Sequence, residues 1–149
     1  MKTIIAIWGN GEIGKTAVIR AIFKKLDALG HFENLLEGSR DDDEDFSVIG
    51  DYNSKKIGIE SQGDPKSRQG ISLKKLAGEQ CEIIICACRI RGTTVTNIEN
   101  IAQSDGYEII WTSNFSSLSA MTKKGIMPNG VDLNDEFATA VINLIDKLQ

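Results

Sequence analysis

Eight consecutive residues, Gly9-Asn10-Gly11-Glu12-Ile13-Gly14-Lys15-Thr16, fit the pattern Gly-x-x-x-x-Gly-Lys-Ser/Thr at every specified position. A segment of this kind can hold a polyphosphate. Its glycines permit positive φ, so successive backbone N–H groups turn inward and form a nest for an anion. A helix starting at its end adds about half a positive charge facing the phosphates. Lys15 is placed to reach the β- and γ-phosphates of a nucleoside triphosphate, and the Thr16 hydroxyl to ligate magnesium. Ala17, next along the chain, closes the binding segment.

A second set of candidates lies downstream. Glu60 ends the stretch Ile57-Gly58-Ile59-Glu60, where a carboxylate could hold magnesium through water. Asp64, further along the same loop, competes for that role, because aspartate is the commoner residue there. Gly63 could offer its N–H to the γ-phosphate. Arg89 and Arg91 follow the apolar run Ile83–Cys88 and could stabilise charge developing in a transition state, with Arg68 a weaker candidate. His31, the single histidine, is explained by its place after a helix C-terminus. The run Asp41-Asp42-Asp43-Glu44-Asp45 is expected to repel itself and stay solvated, with a divalent-ion role as the alternative.

These residues need a scaffold, and the apolar pattern supplies one. Thr3–Trp8 is a nearly continuous apolar run, suited to a strand covered on both faces. From Lys15 to Leu29, apolar residues at Val18, Ile19, Ile22, Phe23, Leu26 and Leu29 predict an amphipathic helix with Gly30 as its cap. His31 to Asp45 has no regular pattern. Phe46–Ile49 and Lys56–Glu60 predict a hairpin turning at Asp51-Tyr52-Asn53-Ser54. Ser72–Ala77 predicts a turn or two of helix, Ile83–Cys88 a strand, Thr94–Gln103 a helix and Tyr107–Trp111 a strand. Asn134–Leu148 predicts a last helix, capped by Asn134 or Asp132. Strands alternating with helices imply an α/β fold with a mostly parallel central sheet, and ligands at the carboxyl ends of its strands.

With 149 residues, 41% hydrophobic and 26% charged, the chain fits one soluble domain spanning residues 1–149. A net charge of −4 argues against nonspecific binding of nucleic acid or of an anionic membrane. No apolar run approaches the roughly 20 residues that span a bilayer, and Met1-Lys2-Thr3 does not open a signal peptide. Three cysteines, Cys81, Cys86 and Cys88, read as reduced thiols; nothing near them in sequence completes a metal ligand set. The expected location is the cytoplasm.

The stretch Ile4-Ile5-Ala6-Ile7-Trp8 and the loop after it resemble the opening of the plasmid-partitioning and septum-site ATPases and the nitrogenase iron protein. Those proteins carry a Lys-Gly-Gly-x-Gly-Lys-Ser/Thr loop. Gly11, Gly14, Lys15 and Thr16 match, while Asn10 stands at the signature lysine and Glu12 at a glycine. Ile57 to Asp64 resembles the family's strand, acidic residue and switch loop, and Ile83–Cys88 followed by Thr93-Thr94 resembles a later strand and its loop. The resemblance implies a three-layer P-loop NTPase fold that binds ATP with Mg2+. In that family the extra lysine crosses a dimer interface to the partner's nucleotide. Asn10 is shorter and uncharged and does not inherit that role, so a homodimer and another protein partner both stay open.

Three functions fit these residues. The first is a P-loop switch that binds and slowly hydrolyses ATP. The second is a small-molecule or nucleotide kinase, which also needs an acceptor pocket. The third is a nucleotide sensor that acts through a protein partner without turnover. GTP-specific proteins usually carry Asn-Lys-x-Asp after a late strand; Ser113-Asn114-Phe115-Ser116 lacks it, which favours ATP, although Asn114 could touch a base edge.

Overall fold

The computed structural model describes residues 1–9, 15–38, 45–63, 68–117 and 125–148. Asn10, Gly11, Glu12, Ile13 and Gly14 of the glycine loop, Asp64, and Asp41 to Glu44 of the acidic run lie outside the described residues. The elements are β1 (Thr3–Trp8), α1 (Lys15–Leu29), β2 (His31–Glu37), β3 (Ser47–Tyr52), β4 (Lys55–Glu60), α2 (Gln69–Gly78), β5 (Ile83–Cys88), α3 (Thr93–Asp105), β6 (Glu108–Thr112) and α4 (Leu133–Lys147). β1, α1 and β5 have the bounds that their apolar patterns predict.

The strands form one sheet in the order β2-β3-β4-β5-β1-β6. β1 pairs in parallel with β5 and β6, and β4 with β5, whereas β2–β3 and β3–β4 are antiparallel. The sheet is therefore mixed, which corrects the expectation of a mostly parallel one. The reason is local. Asn53 and Ser54 both have positive φ (52° and 63°) and connect Tyr52 to its pairing partner Lys55. That is the type I′ geometry whose twist matches antiparallel strands.

Strand β2 corrects the irregular reading of His31 to Asp45. Its register with β3 shifts twice, between His31 and Asn34 and between Leu35 and Glu37. Each shift breaks the period of two, so Phe32 and Leu35 meet the same core although they are three apart in sequence. At the edge of a sheet such bulges also blunt pairing with other chains.

Helices cover both faces. Ile5, Ile7, Ile57, Ile59, Ile83 and Ile85 pack with Val18, Ile19, Ile22, Phe23 and Leu26 of α1 and with Phe137, Val141 and Ile145 of α4. On the opposite face Ile4, Ala6, Ile84, Cys86 and Cys88 meet Leu73 and Leu76 of α2 and Ile98 and Ile101 of α3. Cys86 and Cys88 thus share a face, and all three cysteines are free and buried. Leu29, counted on the apolar stripe of α1, is instead 62% exposed. Gly30 closes α1 by donating to the Leu26 carbonyl (2.7 Å). Of the two proposed caps for α4, Asp132 does the work, accepting from the Asp135 N–H at 3.1 Å. Among the described residues no helix is long and apolar enough to cross a membrane.

Candidate functional site

The carboxyl ends of β1 and β5 meet at Lys15, the first residue of α1. Its side chain is buried, and Nζ donates to the carbonyls of Gly9 and Cys88, each at 2.9 Å. Those carbonyls leave the ends of two adjacent parallel strands, β1 and β5. A buried ammonium needs partners of this kind, because desolvation without hydrogen bonds is costly. Its charge also opposes the upward shift of the Cys88 thiol, which burial pushes up to about 11.

Thr16 follows. Its hydroxyl donates to Oδ1 of Asp45 at 2.8 Å. Ser61, one residue past β4, donates to the same oxygen at 3.1 Å. Ser61 is itself fixed: its Oγ accepts from the Phe46 N–H (2.8 Å), and its own N–H donates to the Phe46 carbonyl (3.1 Å). The Arg20 guanidinium sits 4.3 Å above the Phe46 ring, one helical turn after Thr16. Asp45 reaches this edge because β3 runs antiparallel, so the residues before β3 emerge where β4 ends. Only the mixed sheet makes that possible. The solvated reading of the acidic run fails for Asp45, and no local sequence signal marks it.

Glu60 stands elsewhere. It ends β4, and β5 lies between β4 and β1. Glu60 pairs in register with Cys86, so its side chain faces α2. It is fully buried; Oε1 lies 3.4 Å from Arg68 Nε, and Oε2 accepts from Arg68 Nη2 at 3.4 Å and from the Gln62 N–H at 3.2 Å. Burial raises its pKa above the usual carboxylate value, the Ser72 hydroxyl, Arg68 and the Gln62 amide pull it back, and the charge of Asp45 adds to the rise. Arg68, the weakest of the candidate arginines, thus serves Glu60.

Gly63 seats the loop after Glu60 on β5. A Cβ there would come 2.9 Å from the Ala87 Cβ and 3.0 Å from the Cys88 nitrogen, so only glycine fits without displacement. Gln69 donates to the Ala87 carbonyl at 2.9 Å and accepts from Asn97 at 3.0 Å, holding the far end of the loop on the same strand. Arg89 is half-buried beside Cys88, and its N–H donates to the Thr94 hydroxyl (2.9 Å). Arg91 is exposed, as is Ala17. His31 is exposed and lies 3.2 Å from the Glu33 carboxylate. Among the described residues no group of three or more His, Cys, Asp or Glu could hold a metal. Thr16 and Asp45 do offer two hard oxygens side by side, as a magnesium ion that also takes phosphate and water ligands requires.

The site thus joins Lys15, Thr16, Gly63 and Arg89 around the ends of β1 and β5, adds Asp45, and sets Glu60 on the opposite face. Comparison with protein-family models, with curated proteins and with solved structures gives no match.

Proposed function

We propose that this chain is a P-loop nucleotide-binding domain of the three-layer kind, which binds ATP with magnesium and hydrolyses it slowly as a switch. The observation that carries the reading is the buried Lys15 ammonium, held on the Gly9 and Cys88 carbonyls at the start of α1. A lysine there spends its donors on backbone oxygens that phosphate oxygens can replace. The N-terminus of α1 adds its partial positive charge to the same spot.

Thr16 and Asp45 are the groups suited to magnesium, and the bound ion would bridge phosphate oxygens and offset their charge. Asp45 is the carboxylate beside the Thr16 hydroxyl, whereas Glu60 faces α2. Glu60 works at a distance: by holding Gln62 and Arg68 it sets the loop that carries Gly63 toward the phosphates. Nucleotide would hold this loop and the one after Arg89 in the bound arrangement, and hydrolysis would release them. Arg89, next to the Cys88 carbonyl, is better placed than exposed Arg91 to meet charge developing on the phosphates. Buried free cysteines support a reducing compartment such as the cytoplasm.

A thermal-shift titration with ATP, GTP and their diphosphates, with and without magnesium, tests the reading. Binding at about a hundredfold excess over the dissociation constant adds about 2.7 kcal/mol of stability. The expected result is a shift for ATP that grows with magnesium and is largely lost in Lys15→Ala. No shift with any nucleotide contradicts the proposal. Phosphate release without transfer to nucleosides or nucleotides separates the switch from a kinase, and nucleotide binding without turnover identifies a sensor.

A further inference from the structure

Beside the Lys15 site lies an open groove of about 330 Å³ lined by Trp8, Arg89, Ile90, Val95 and Trp111. We infer that this groove stacks a nucleobase. The inference takes its choice of ring from the phosphate-loop reading; the groove itself is observed independently.

The placement follows from sheet geometry. Trp111 on β6 is opposite Ala6 on β1, and Trp8 is two residues beyond Ala6. Side chains alternate along a strand, so both indoles stand on the face that α3 covers. Deeper on that face Ile98 and Ile101 of α3 close the core, but at the carboxyl edge Val95 is the α3 residue that lines the groove. The two indoles stay 38% and 42% exposed, and Ile90 is 61% exposed. Large aromatic surface gathered in one concavity and left in water marks a ligand site.

Two details select a flat heteroaromatic ring. Indole faces offer stacking that tolerates any base, and Arg89 brings a planar cation to the same wall. Two of its lining residues are chain neighbours of the proposed phosphate site: Trp8 precedes Gly9 and Arg89 follows Cys88, the two residues whose carbonyls hold Lys15. A ring lying here is within one ligand's reach of the phosphates. It belongs either to the bound triphosphate or to a second nucleoside beside it.

Trp8 and Trp111 are the chain's only tryptophans and both line this groove, so tryptophan fluorescence reports on it. The experiment titrates adenosine, magnesium ATP and magnesium tripolyphosphate, exciting at the red edge of the indole band. Adenosine and ATP are expected to quench, and tripolyphosphate, which has no ring, is not. Trp111→Ala keeps Trp8 as reporter and should raise the adenosine dissociation constant about fivefold to 150-fold, with Trp111→Phe costing much less. Saturating ATP that abolishes the adenosine signal assigns the ring to the triphosphate; an adenosine signal that persists assigns it to a second nucleoside. Both outcomes support the groove. Adenosine carries no phosphate, so its quenching tests the groove apart from the loop, and the groove can hold even if the phosphate loop fails. No quenching by adenosine up to its solubility, or equal quenching by tripolyphosphate, overturns the inference.

Discussion

Thr16 and Asp45 lie 29 residues apart in sequence, yet the threonine hydroxyl donates to the aspartate carboxylate across 2.8 Å. The contact links the first turn of α1 to the segment entering β3, and it depends on β3 running against its neighbour. The proposed magnesium site takes its carboxylate from this contact.

Asp45→Asn tests that role. The amide oxygen can still accept from Thr16 and Ser61, so the fold should persist. The variant should bind ATP without magnesium about as well as the parent and lose most of the gain from magnesium. Calorimetric titrations with and without the ion measure this. Equal enhancement by magnesium in both proteins would rule Asp45 out as a ligand.

Lys15→Ala removes a buried cation and leaves two carbonyls to find water. Loss of one member of a buried charged pair with phosphate should cost about 2–5 kcal/mol of ATP binding, roughly 30-fold or more. Equilibrium dialysis with labelled ATP gives the ratio.

Glu60 makes stability depend on pH. Its pKa is raised in the folded chain above the ordinary 4.5, chiefly by burial. The folded state therefore holds a proton that the unfolded state has released, and stability falls as pH rises from the unfolded value through the folded one. Glu60→Gln carries no such proton, so its stability relative to the parent should improve across that rise. Urea titrations at several pH values check the sign. A relative stability that worsens as pH rises through this window would mean that Arg68 and Ser72 outweigh burial.

Gly63→Ala sets a methyl against backbone atoms of Ala87 and Cys88 that cannot swing aside. Overpacking of this kind costs about 1–3 kcal/mol. The alternative to that cost is for the loop to leave β5, so protease sensitivity near residues 61–63 should rise along with the loss of stability. A variant as stable and as resistant as the parent would show that the loop is not seated there.

Lys15 and Thr16 were legible because a strand, a glycine loop and a helix follow one another without a gap, and each leaves a periodic signal. The core positions of β1, β5 and α1 were legible for the same reason. Strand β2 was not, since two bulges erase its alternation. Asp45 was hidden because charge density in sequence favours solvation, while its contact comes from antiparallel pairing with β4 far along the chain. Glu60 was legible as a strand end, but its face was not: the parity that turns it toward α2 is set by register with β5. The tryptophan groove needed strand order, since Trp8 and Trp111 are brought together only because β6 lies beside β1.

The most direct measurement is a crystal structure with a nonhydrolysable ATP analogue and magnesium. The account predicts a triphosphate at the start of α1, with Lys15 Nζ moved from the Gly9 and Cys88 carbonyls onto phosphate oxygens and a metal ion between Thr16 and Asp45. Nucleotide bound elsewhere, with the lysine still on those two carbonyls, would contradict it.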